Sequence, residues 1–191
     1  MRRSLVALAL VAGVAPALWD GPPRARADQD DPRLDRLFGR LNVVDNGDKD
    51  EVARITAEIW SIWRQSGRPG LDMKMQEGQR FMKQGILHSA LGNFDFIVRV
   101  LPDFAEGWHK RATVFYLIGD YAASIKDIEK AVTLEPRHFG AYAGLGLIYL
   151  KMGNEPAALR ALEQALTINP HLAGTRATVD ELRRKINGQK L

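Results

Sequence analysis

The chain has 191 residues, 46% of them hydrophobic and 26% charged, which suits one folded domain with a real core and a solvated surface. There is no cysteine, so a disulfide framework, a thiolate metal site and a lipid-modified cysteine are excluded. The formal net charge is +4, but residues 1–27 hold four arginines against Asp20, so the remainder carries only about +1. The high isoelectric point therefore does not point to nucleic acid, which needs a basic patch on the folded domain.

Arg2 and Arg3 precede an uncharged apolar run from Leu5 to Leu18, and Ala25-Arg26-Ala27 follows a proline-containing stretch. A charged start, a short apolar segment and a small-residue site predict a secretory leader over 1–27, cleaved before Asp28. The run falls short of the ~20 apolar residues of a comfortable membrane span, so no integral span is expected after cleavage. An uncleaved anchor is the alternative. The charged segment is too short to read as a twin-arginine signal.

Residues 28–70 read as a helix pair. Asp31-Pro32 suits a helix start, and Leu34, Leu37, Phe38 and Leu41 mark one apolar face. Asn46-Gly47 makes a turn, and Asp48 with Glu51 resembles a capping box. Val52, Ile55, Ile59 and Trp63 form the next face, and Trp60 lies at its border. This pair is expected to cap the N-terminal end of the repeats that begin at residue 71. Trp63 is expected to pack, and Trp60 is open between packing and partner contact.

A period of 34 residues then sets the architecture. Pro102, Pro136 and Pro170 keep it, as do Gly85, Gly119 and Gly153, and Phe81, Phe115 and Tyr149. The small residues Gly78, Ala112 and Gly146 form another column, followed by Ala90, Ser124 and Ala158, and by Phe94, Ile128 and Leu162. Small residues let two helices approach, the glycines end the first helix of each unit, and the prolines end the second. Each unit is thus a helix-turn-helix that cannot bury its apolar face alone, so the units must stack. Beyond Pro170, Val179, Leu182 and Ile186 are spaced for a final amphipathic helix in 173–191 with a charged outer face.

The middle unit reads Trp108, Ala112, Phe115, Ser124, Ile128, Ala131, Pro136, and the last reads Tyr142, Gly146, Tyr149, Ala158, Leu162, Ala165, Pro170. This resembles the tetratricopeptide repeat family, with units at 71–104, 105–138 and 139–172, and the chain resembles an exported bacterial member. The first unit departs from the pattern, with Lys74, Glu77 and Ile97 at positions usually aromatic, leucine and alanine. The resemblance implies an all-α, right-handed α-solenoid of antiparallel helix pairs. Trp108, Phe115, Tyr142 and Tyr149 are expected to be packing residues.

No constellation for catalysis is expected. His88, His109, His138 and His171 show no metal-site spacing, and His138 and His171 read as solvated turn residues near the prolines. Neither a phosphate loop nor a nucleophile elbow is present, so no cofactor, no metal and no enzyme activity are expected. The resemblance instead implies a concave groove lined by the first helices. It projects Gln79, Met82, Lys83, His109, Lys110, Thr113, Tyr116, Leu147, Leu150 and Lys151 toward that groove. The arrangement for clamping a terminal carboxylate is missing. The resulting expectation is a non-catalytic adaptor that binds a protein or peptide partner in the envelope, with the periplasm as its place. Self-association and service as an accessory subunit of an envelope enzyme are the alternatives.

Overall fold

Three glycines and three prolines punctuate the repeating part of the chain as the period requires. Gly85, Gly119 and Gly153 have φ of 75°, 92° and 73°, the left-handed conformation that a side chain resists. The computed structural model describes residues 28–45 and 47–188, so the leader predicted over 1–27 lies outside the described residues. A 3-10 turn at Asp28–Asp30 leads into α1 (Arg33–Val43) and α2 (Lys49–Trp63). The repeating pairs follow: α3 (Pro69–Lys83) with α4 (Leu87–Val100), α5 (Ala105–Ile118) with α6 (Tyr121–Leu134), and α7 (Phe139–Lys151) with α8 (Glu155–Ile168). Last comes α9 (Ala173–Gly188). Among the described residues there is no strand, and no helix is long and apolar enough to cross a membrane.

Each helix of the repeats packs on the next, and α3, α5 and α7 also touch in turn, so the chain is an α-solenoid whose first helices share one face. The small-residue column explains the close approach within each pair. A Cβ on Gly78 would lie 2.8 Å from the Phe94 ring, and one on Gly146 would lie 2.5 Å from Leu162 Cγ. Ala112 fills the same place opposite Ile128, and the Ser124 hydroxyl donates to the Ala112 carbonyl at 2.7 Å. Ala90, Ser124 and Ala158 are fully buried. The first unit, divergent in sequence, therefore keeps the same contact as the other two.

Side-chain caps fix several starts. Asp48 accepts from the Glu51 amide at 3.0 Å, Asp120 from Ala123 at 3.0 Å, and Asn154 from Ala157 at 3.2 Å. Between the first two units Arg111 bridges both sides, bidentate on Asp127 at 2.7 and 2.8 Å and bonded to Asp95 at 2.8 Å. The paired Asp127 carboxylate holds the guanidinium pKa above its ordinary value, against the opposing pull of burial.

The helix pair α1–α2 lies along one edge of the solenoid. Its buried face (Leu37, Phe38, Ile59, Trp63 and neighbours) joins Phe139, with Ile168 and Leu172 packed alongside. That edge is where each second helix turns into the next first helix. The end-cap expected from sequence would instead put this face against α3, whose Met73 stands 67% exposed. At the other end α9 buries Val179 and Leu182 against Ala158 and Leu162, with Leu150 at the margin.

Candidate functional site

Three anchors, one per unit boundary, hold the helix pair to the edge. The Gln29 amide donates to the Asp103 carbonyl at 2.6 Å and accepts from the Ala105 amide at 3.0 Å. Arg137 pairs with Asp35 at 2.6 Å and lies 5.0 Å over the Phe38 ring. The His171 ring donates from Nε2 to the Leu41 carbonyl at 2.8 Å. Asp103, Arg137 and His171 are themselves 34 residues apart, and Gln29, Asp35 and Leu41 are six apart. From Asp35 to Leu41, six residues of α1 rise ~9 Å, close to the 8–10 Å between packed helices, so this part of α1 keeps step with the solenoid.

Through α2 the pair also covers the N-terminal parts of α5 and α7. Trp60 lies 5.9 Å from the His109 ring and 5.4 Å from Phe139, and a Cβ on Gly140 would come within 2.5 Å of its Cη2. Trp63 stacks on His138 at 4.4 Å and 12°. Trp63 is buried, in line with the packing expected for it, and Trp60, left open by the sequence, is half-buried.

Beneath these rings sits a buried polar cluster. Glu106 Oε2 meets His109 Nδ1 at 2.9 Å and His138 Nε2 at 3.0 Å, while Lys110 Nζ approaches Oε1 at 3.1 Å. Burial opposes ionisation of Glu106, yet the charge of Lys110 and the two imidazoles hold its pKa well below the ordinary carboxylate range. Burial pushes His109 down to about 4, although the Glu106 carboxylate works the other way. The Ala141 amide donates to His138 Nδ1 at 3.1 Å, so a neutral His138 carries its proton on Nε2 and donates it to Glu106.

Those three side chains bring ligand atoms within 4.8 Å of one another, spacing that a metal ion could use. The donor chemistry opposes it. A cation on His138 Nε2 would have to displace the proton that the Ala141 bond places there, and Lys110 already supplies the positive charge. In this cluster Glu106 Oε2 takes both imidazoles, Oε1 meets only the Lys110 ammonium as an ion pair, and the whole seats α2. His138, expected in solvent, is fully buried because it also caps α7, and the edge-bound helix pair closes over it.

The groove residues projected from sequence divide accordingly. His109 is buried beside Trp60 at the inner end of an open cleft, and Lys110 lies 5.3 Å over the Trp60 ring and is paired to Glu106. Leu150 packs toward α9, Met82 toward the core of the first unit, and Tyr116 toward Tyr121, at 5.9 Å. Gln79 and Thr113 are half-buried, while Lys83, Leu147 and Lys151 are exposed. Trp108, expected to pack, is half-buried, with its indole donating to the Pro102 carbonyl at 2.9 Å.

What stays open is an apolar cleft of about 180 Å³ between the C-terminal halves of α5 and α7. It is walled by Thr113, Tyr116, Leu117, Gly144 and Leu147, and Leu117 and Leu147 are 48% and 47% exposed. Such a volume lies below the ~300–1,000 Å³ of cofactor and drug sites and suits one side chain. Leu117 was missed by the projection, although it stands in one 34-residue column with Lys83 and Lys151. A second, wider cleft of about 930 Å³ lies between α2 and α9.

Comparison with known proteins decides what the units are. Two tetratricopeptide repeat profiles match, one over residues 105–138 and one over 140–172. The chain carries tandem tetratricopeptide repeats. Over 116 residues it is 36% identical to a TPR repeat-containing protein of Rhizobium etli, covering 61% of this chain and 56% of that one. Over 58 residues it is 41% identical to tetratricopeptide repeat protein 36 of Mus musculus, covering 30% of this chain and 31% of that one. The chain thus spans about half, or less, of these relatives.

Among solved structures the TPR domain of Sgt2 from Aspergillus fumigatus superposes with a TM-score of 0.60 at 21% identity, covering 64% of this chain and 83% of that one. The first TPR of Spaghetti (RPAP3), solved with the HSP90 peptide SRMEEVD, gives 0.58 at 17% identity, covering 61% and 93%. MamA gives 0.58 at 21% identity, covering 74% and 80%. At these identities the likeness is one of fold. The two matching family models are described as tetratricopeptide repeats and name no enzyme.

Proposed function

We propose that this protein is an exported, non-catalytic adaptor of the bacterial envelope that holds a protein or peptide against the open part of its concave face. The observation that carries the reading is the apolar cleft between α5 and α7, where Leu117 and Leu147 stand about half exposed. Solvated apolar side chains gathered at one concavity are the ordinary signature of a docking surface. The peptide held by the Spaghetti TPR supports the same use of the fold, and the leader-like segment at 1–27 supports export to the periplasm. The mechanism is differential binding alone, with Leu117 and Leu147 as apolar contacts and Lys83 and Lys151 as orienting charges.

The test is recovery of the full chain from envelope extracts beside a Leu117→Asp/Leu147→Asp variant. Both positions are exposed, so the variant keeps the wild-type circular dichroism and denaturation midpoint. A partner lost only from the variant supports the reading. A partner retained by both moves the working surface elsewhere. Assembly of the chain with itself is the second reading, favoured by the exposed Met73 on α3. Sedimentation velocity separates it, because self-assembly alone makes the sedimentation coefficient rise with concentration.

A further inference from the structure

The proposed groove has a charge pattern as well as an apolar centre. Lys83, Leu117 and Lys151 occupy equivalent positions near the C-terminal ends of α3, α5 and α7. Both lysines are exposed, and among the described residues neither makes an ion pair. Lys151 lies one helical turn beyond Leu147, which lines the cleft, on the same face of α7. Asp120, the acidic residue at the adjoining turn, is engaged in capping α6 through the Ala123 amide at 3.0 Å. Lys110, by contrast, is neutralised by Glu106 and belongs to the seat of α2.

We infer that the segment this groove takes is an internal stretch of chain with one apolar side chain flanked on both sides by acidic residues. The inference rests on the adaptor reading above and adds the chemistry of the partner. Packed helices lie roughly 8–10 Å apart, so with α5 between them the two lysines stand on the order of 16–20 Å from each other, with Leu117 between. An extended chain advances ~3.3 Å per residue, so the acidic groups sit about five or six residues apart and the apolar residue sits between them. The cleft of about 180 Å³ takes the apolar side chain, and the lysines set the register and direction of approach. A free terminal carboxylate is not needed, because the two cations stand on either side of the apolar pocket and not together at one end of it.

The probe is a fluorescent nine-residue peptide, blocked at both ends, with two glutamates at each end and a central leucine. Fluorescence anisotropy with the full chain is expected to show binding that weakens as salt rises. Replacing the glutamates by glutamine weakens it by about tenfold or more, as does Lys83→Glu/Lys151→Glu. A lysine-ended peptide then regains binding to the charge-reversed protein, which a merely structural role for the lysines would not produce. Equal binding of the glutamate and glutamine peptides overturns the inference, and so does the absence of binding by the glutamate peptide. In either case the adaptor reading at this groove still stands if the envelope partner is lost from Leu117→Asp/Leu147→Asp, and the working surface lies elsewhere if that partner is retained.

Discussion

A missing side chain at residue 140 decides how closely α2 sits on the solenoid. Gly140→Ala would place a methyl group 2.5 Å from Trp60 Cη2, and the indole is already wedged between His109 and Phe139. The substitution is expected to cost about 1–3 kcal/mol through overpacking. Gly144→Ala on the same helix is its control. A Cβ there meets Ile128 at 3.8 Å, an ordinary contact, so the gain in helix propensity should stabilise by up to about 1 kcal/mol. Urea denaturation of the two variants should shift the midpoint in opposite directions. A shared direction would place Trp60 wrongly.

Titration at the buried cluster belongs to the same scale. His109 is held near 4 when folded against about 6.5 when unfolded, so the unfolded chain binds more protons between those values. Glu106, with its folded pKa lowered, contributes stability above its ordinary range that is lost as the pH falls through it. Both groups therefore make the protein less stable in acid. Unfolding free energy should fall by on the order of 2–3 kcal/mol from pH 7 to pH 4 through His109 alone. His109→Gln should flatten that slope above pH 4.5, as read by denaturant titrations across the range. An unchanged slope would mean that His109 is not buried against Glu106.

At the scale of elements, the helix pair α1–α2 is the feature that departs from a plain stack of repeats. Arg137→Ala removes the ion pair to Asp35 and the contact with Phe38, and Trp63→Ala empties the stack on His138. The first should cost about 2–4 kcal/mol, since besides the Asp35 pair and the Phe38 contact it leaves the buried Glu135 carboxylate without its guanidinium. The second should cost about 3–5 kcal/mol. Hydrogen exchange should show faster opening of α1 and α2 in Arg137→Ala with α5–α8 unchanged. Uniform loss of protection would mean that the pair and the repeats unfold as one unit.

The repeats were legible because each column of the period has a local task, such as the left-handed turn at Gly119 or the close approach of Gly146 to Leu162. The placement of α1–α2 was not. Its apolar faces announce two amphipathic helices, but amphipathicity does not say which surface they cover. The anchors that decide it are backbone carbonyls, as at Asp103 and Leu41, or partners more than 70 residues distant. His138 misled for the same reason: behind a proline it reads as a turn residue, and only the docked Trp63 makes it interior. Of the ten residues projected onto the groove, His109 and Lys110 are engaged by Trp60 of α2 and by Glu106.

Across the whole molecule the concave face is divided. Toward the N-terminal ends of α5 and α7 the chain's own tryptophans fill it, and toward the C-terminal ends Leu117 and Leu147 remain in solvent. A partner that binds without disturbing the fold must use the second part, which is what links the adaptor reading to the position of α2. The most direct measurement is an amide NMR titration of the full chain with its co-purified partner or with the acidic-flanked peptide. The account predicts perturbations at residues 113–117 and 147–151, with Trp60 and Gly140 unmoved. Perturbations centred on Trp60 and Gly140, with Leu117 and Leu147 silent, would contradict it and make α2 the element that a partner displaces.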